Sequence, residues 1–266
     1  MNQAPSRTLL RKIFRIAGWV FAILLILGLI GFIVIPPAAK LYIHHWAPDL
    51  YKSLSRNPRV YTSLPKPPPD WQKIALGNVS MSLPLAELTH IVKTPKSYYM
   101  RMMFKNYSLD LSWLAFTMSS MKVHWEKVSF QLVESYARAH PDQISFFKWP
   151  WRNWGTMIGL TFKAIAGMEI DIFTCGNIKG TVHQNSQRTS DYYSFMVFSK
   201  SDHFFFDFTV SSRNKLNQDE VLRILGGVEI TKDSFDEAKY KADAQARYKE
   251  LLEIARKNTS PNAPPD

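Results

Sequence analysis

Apolar positions run without interruption from Ile16 to Ile35, IAGWVFAILLILGLIGFIVI, and nowhere else in the chain for a comparable length. Twenty residues at ~1.5 Å each cover about 30 Å, the thickness of a hydrocarbon core, so the pattern predicts a transmembrane helix over 16–35. A cleavable signal has a shorter apolar stretch, about 7–15 residues. Pro36-Pro37-Ala38-Ala39 carries the small residues of a cleavage region, but the length favours an uncleaved anchor. Arg7, Arg11, Lys12 and Arg15 precede the span, which predicts a cytoplasmic N-terminus (1–15) and everything after the span outside. Trp19 at one end, and Tyr42, Trp46 and Tyr51 beyond the other, suit the headgroup layers.

After the anchor the period changes repeatedly. Residues 36–69 read as a juxtamembrane segment, with a short helix broken near Pro48, followed by a spacer stiffened by Pro58, Pro65, Pro67, Pro68 and Pro69. A domain is expected over 70–257. It opens with a hairpin, 72–75 and 79–83, around Leu76-Gly77-Asn78. Strands follow at 98–104 and 107–116, where Tyr107, Leu109, Leu111 and Trp113 alternate with polar residues. Helical spacing at 124–139 puts Trp125, Val128, Leu132, Val133 and Tyr136 on one face, with Pro141 as the stop. A second helix is predicted over 152–167, weakened by Gly155 and Gly159.

Four β segments, 170–174, 178–183, 192–199 and 203–211, then predict an antiparallel meander, with Phe204, Phe206 and Phe208 on one face and Phe205 and Asp207 on the other. A helix from about Asn217 to Leu225 should stop at Gly226-Gly227. A long helix is predicted over 233–257, using Phe235, Ala238, Ala242, Tyr248, Leu252 and Ala255, and 258–266 has the composition of a disordered tail. The class is α+β: an antiparallel sheet covered by helices, a sandwich, behind one transmembrane helix.

Residues 74–84, IALGNVSMSLP, resemble the opening hairpin of PsbP-like and DcrB-like α/β sandwich domains. The hairpin from Gly176 to Gly180, the strand FFFDFTV at 204–210 and the helix at 219–225 resemble their closing elements. The segment around 146–154 and the helix at 233–257 depart from that pattern. The resemblance implies a binding or assembly module and carries over no catalytic residue.

The net charge of +11 changes little, because nine of the 33 Lys/Arg and only two of the 22 Asp/Glu fall in residues 1–70. A basic membrane flank accounts for that better than a nucleic-acid surface, so no nucleic-acid partner is expected. A single cysteine, Cys175, cannot close an intramolecular disulfide. A disulfide-free extracytoplasmic domain suits a bacterial periplasm and inner membrane. Asn78, Asn106 and Asn258 fit the glycosylation sequon of a eukaryotic lumen.

Three constellations were weighed for chemistry. Cys175 with Asp171 and His183 has the residue types of a thiol nucleophile and base. His44-His45 with His90, His124 or His183 has metal-ligand types without metal spacing. Glu169 and Asp171 share a strand face. None predicts a site, so no catalytic, metal or cofactor residue is expected. The segment Phe146-Phe-Lys-Trp-Pro-Trp-Arg-Asn-Trp154 stands apart, and Trp149, Trp151, Arg152 and Trp154 are candidates for contact with a membrane or partner. The competing reading wedges these rings into the core. The functional expectation is a non-catalytic periplasmic binding or assembly domain with an unidentified envelope partner. The alternative is a membrane-bound extracytoplasmic enzyme, such as a hydrolase.

Overall fold

The computed structural model describes residues 7–93, 100–112, 129–165, 169–187, 190–201, 205–212, 214, 216–231 and 237–259. The chain divides into two units, 1–55 with 139–160, and 56–138 with 161–266.

The first unit is helical. α1 spans Arg7–Trp46, 40 residues or about 60 Å, and its portion from Ala17 is long and apolar enough to cross a membrane, as an anchor or a signal sequence would. The helix does not end with the apolar run at Ile35 but continues through Pro36 and Pro37. α2, Pro48–Leu54, follows after Ala47, with proline at its first turn where a missing N–H costs nothing. Leu54, Ala139, Ile144 and Leu160 form a small core, joined by Leu50 and Met157.

The second unit holds an eight-stranded sheet and a three-stranded one, so the α+β class is observed. β2 (Gln72–Leu76) and β3 (Val79–Leu83) form the expected hairpin, turned by Gly77 at φ 63°. β5 (Met100–Phe104) and β6 (Ser108–Ser112) follow, with Leu109 and Leu111 buried as period two requires. Trp113 lies outside the described residues. β7 (Glu169–Cys175), β8 (Ile178–Gln187), β9 (Ser190–Ser199) and β10 (Phe205–Ser212) make the meander. In β10, Phe206, Phe208 and Val210 are buried while Asp207 and Thr209 are half-buried. Phe204 lies outside the described residues. β10 then pairs with β6 and joins the two meanders into one sheet. β11 (Glu229–Ile230) completes the small sheet beside β3.

Four expectations need correction. Residues 88–93, where periodicity predicts no strand, form β4 against β5. A register shift between Leu88 and His90 inserts a residue, so Leu88 and Ile91 are both buried and the alternation is hidden. The sheet is also not wholly antiparallel, because β1 (Val60–Tyr61) runs parallel to β7. β1 lies in the proline-rich stretch read as a spacer, where Asp171 accepts from the Arg59 amide at 2.9 Å and the Tyr61 hydroxyl at 3.3 Å. Finally, α3 spans Phe130–Ala137, capped by Ser129, and buries Phe130, Val133 and Ala137 while Leu132 is exposed. The later start shifts the stripe; Trp125 and Val128 lie outside the described residues.

α4 spans Pro150–Ile165 and passes from the first unit into the second. At its far end, buried Lys163 donates to the Arg56 carbonyl at 2.9 Å. α5 (Gln218–Gly226) has the expected Asn217 cap and Gly227 stop. α6 (Glu237–Thr259) packs on β4 and β2 through Ala244, Leu251 and Ala255, leaving Ala242 exposed. It runs past the expected end. Asn258 donates to the carbonyls of Leu85 and Leu88 at 2.9 and 2.8 Å, and Phe235 lies outside the described residues.

Two glycines should respond oppositely to alanine. A Cβ on Gly180 would sit 2.0 Å from the Met196 carbonyl oxygen and 2.6 Å from the Phe173 ring, so Gly180→Ala should destabilise by about 3 kcal/mol. Gly155 has nothing within 4 Å, so Gly155→Ala should stabilise α4 by about 0.5–1 kcal/mol. Thermal melts of the full chain in detergent would check both signs.

Candidate membrane-contact site

A helix residue's carbonyl accepts from the N–H four positions on. Pro36 has no N–H, so the Phe32 carbonyl lacks that donor. Trp154 supplies one: its indole Nε1–H donates to the Phe32 oxygen at 2.7 Å. The Trp154 ring lies nearly parallel to the Phe32 ring, 5.6 Å between centroids and 16° apart. Trp151 meets the same ring edge-on at 4.8 Å. Two of the sequence candidates are thus brought together on one turn of α1.

A second fastening lies eight residues along α1, about 12 Å away. Lys40 donates to the Ile144 carbonyl at 3.3 Å and pairs with Asp142 at 3.4 Å. Tyr51 of α2 donates to the same Asp142 carboxylate. The Tyr51 hydroxyl first, helped by Lys40 and His140, holds the Asp142 carboxyl below the usual carboxylate range against the opposing effect of desolvation. That hydrogen bond, with burial, pushes Tyr51 up to about 12.

Between these fastenings the chain makes a loop closed by Asn153. Its Oδ1 accepts from the Ser145 amide at 3.2 Å and its Nδ2 donates to the Ser145 carbonyl at 2.9 Å. Inside the loop, the Phe147 amide donates to Ser145 Oγ and the Lys148 amide to the Ser145 carbonyl. The Arg152 and Asn153 amides return to the Trp149 carbonyl. Pro150 opens the helix rather than preventing it, so Trp151, Arg152 and Trp154 are helical and Trp149 precedes the first turn.

The rings are not core. Phe146 is 55%, Phe147 99%, Trp149 76% and Trp151 74% exposed, and Arg152 is exposed beside them. Only Trp154 is half-buried. Sequence reasoning missed Phe32, Pro36, Lys40, Asp142 and Asn153. Pro36 was the usable signal, since a proline inside an apolar helix announces a carbonyl in need of a donor.

The other constellations separate. The β7–β8 register sets Cys175 opposite Ile178 and His183 opposite Ile170, five residues or about 17 Å along the strand. Asp171 pairs with Val182, so it faces away from His183. The Cys175 thiol donates to the Tyr61 carbonyl at 3.5 Å, and burial raises its pKa. Burial lowers His183 to about 4, and its Nε2 shares a hydrogen bond with Thr181. Glu169 and Asp171 are both paired with Arg56, at 2.6 and 3.6 Å. Among the described residues no three His, Cys, Asp or Glu are grouped as metal ligands. One cavity in the second unit, lined by Ile74, Met81, Leu111 and Phe206, has about 10 Å³, room for a single water. No protein-family model, curated protein or solved structure matches the chain.

Two predictions follow from these fastenings. Trp154→Phe keeps an aromatic ring but removes the donor and orphans the Phe32 carbonyl, which should cost about 1–3 kcal/mol beyond the smaller ring's lost packing. Pro36→Ala restores the internal donor, so in that background Trp154→Phe should cost only the lost packing. A double-mutant cycle of melting in detergent reads the coupling.

Asp142 has a depressed carboxyl, so its contribution is present above the ordinary carboxylate pKa and lost as pH falls through the lower folded value. Tyr51 is raised, so its contribution is complete below pH ~10 and lost as pH rises through about 12. Removing the hydroxyl with Tyr51→Phe should move the Asp142 titration, followed by NMR, up toward the ordinary carboxylate value.

Proposed function

We propose that this protein is a membrane-tethered binding or assembly module of a bacterial inner membrane, with its N-terminus cytoplasmic and the residues after the span periplasmic. The observation that carries the reading is the aromatic loop fastened to the apolar helix: an exposed contact surface is held at the level of the tether within one unit. The basic residues before the span support the orientation. The engagement of Cys175, His183 and Asp171 in local structural bonds supports recognition over catalysis. The resemblance to PsbP-like and DcrB-like sandwich domains agrees with a module that works by binding.

The orientation is tested by fusing a reporter active only outside the cytoplasm after Asp70. It should be active, and neutralising Arg7, Arg11, Lys12 and Arg15 together should lower its activity several-fold. An inactive fusion at that position, with activity there of a second reporter that works only in the cytoplasm, would reverse the topology and remove the periplasmic assignment.

A further inference from the structure

Trp151 touches Phe32 of α1 and still leaves three quarters of its surface open. Whatever surrounds α1 at that level therefore also surrounds Trp151. Phe32 lies three residues, about 5 Å, inside the Ile35 end of the apolar run. Its neighbours Ile33, Val34 and Ile35 are exposed. If α1 is an anchor, their surroundings are the upper acyl chains of one leaflet.

The loop is built for that level. Its tip presents Phe146, Phe147 and Trp149 beside Trp151, four large rings with no acidic residue from Gln143 to Met168. Lys148 and Arg152 have stems long enough to reach phosphates from among the rings. The polar fastening of Asp142, Lys40 and Tyr51 stands about 12 Å away along α1, on the headgroup side. Backbone that enters a membrane must satisfy its polar groups internally. Asn153 and Ser145 pair across the loop base, and the Trp149 carbonyl takes two amides at the helix start, so part of the loop's backbone is satisfied within the loop.

We propose that the 145–153 loop is a second membrane element, a wedge whose rings insert at the headgroup–acyl boundary of the leaflet at the Ile35 end of α1. The occupant of this surface is the bilayer. The inference rests on the reading of α1 as an anchor. Two-point attachment would fix the first unit against the membrane plane instead of letting it swing from a single helix.

The test uses the full chain in phosphatidylcholine–phosphatidylglycerol vesicles. The single native cysteine allows a Cys175→Ala background in which Phe147→Cys and, separately, Leu27→Cys carry an environment-sensitive fluorophore; Lys200→Cys is the exposed reference. Among the described residues Phe147 meets no other ring, and it is almost wholly exposed, so its replacement should leave folding intact, checked by melting against the background protein. Each label is quenched in turn by lipid brominated near the top of the acyl chain and by aqueous iodide.

The expected result is that the labels at 147 and 27 are both quenched by brominated lipid. At 147 the iodide quenching constant should be at least about tenfold below that at 200, because an ion does not enter hydrocarbon. Lipid quenching at 27 with iodide access at 147 would overturn the wedge and leave the anchor standing. Protection of 147 from both quenchers would mean that protein covers the loop, which also overturns it. Absence of lipid quenching at 27 would sink the anchor reading and the wedge together.

Discussion

A proline cannot donate a hydrogen bond, and α1 carries two in succession within its helix. In water the carbonyls left behind at Phe32 and Ile33 would be solvated at little cost. In an apolar setting an unpaired carbonyl costs several kcal/mol, so the helix needs a donor from elsewhere. The donor must be apolar apart from one N–H, and indole is the side chain that meets that description. The Trp154–Phe32 bond, between residues 122 apart, is the result. It sets the level on α1 at which α4 starts, and Lys40 with Asp142 and Tyr51 sets the second level. With both ends fixed, the intervening residues have to form a loop, and Asn153 closes it.

Proline shapes the second unit by a related rule. The stretch from Pro58 to Pro69 lacks several N–H groups, so it cannot pair as a full strand. It contributes two ladder residues, Val60 and Tyr61, and gets further support from the Asp171 carboxylate. Pro65 then lies against Gly226, where a Cβ would come 2.1 Å from its carbonyl oxygen. That close approach gives Gly226 a packing role beyond the helix stop that its position in the sequence suggests.

Most of the fold was legible because local rules and tertiary burial agree in it. The β2–β3 hairpin, β6, the β7–β10 meander and the capped α5 each carry a complete periodic or capping signal. The misses have identifiable causes. β4 was hidden by a bulge that breaks alternation, and β1 by prolines that lower strand propensity. The predicted span ends at Ile35 with the apolar run, whereas the helix continues through Pro36 and Pro37, with Trp154 supplying the bond missing at Phe32. The exposure of Trp149 and Trp151 could be anticipated from Lys148 and Arg152 on either side of them, which resist burial. For Trp154, Pro36 marks the Phe32 carbonyl as lacking a donor, but nothing in the sequence says which distant side chain supplies it.

Aromatic clusters of this kind are ambiguous in sequence because the same rings serve cores and surfaces. Position relative to fixed points decides between them. Had the rings closed the small core of the first unit, they would lie beside Leu54, Ile144 and Leu160; that core is filled by aliphatic residues instead. Phe146, Phe147 and Trp149 stand outside it, and Trp151 meets the Phe32 ring instead. Leaving four such rings in water is costly at about 25 cal/mol per Å² of apolar surface, and a chain keeps them exposed when something else covers them. In the proposed wedge, the lipid around α1 is what covers them. The polar groups at the loop base then have a second role beyond shape: they spare the backbone from needing water where the rings exclude it.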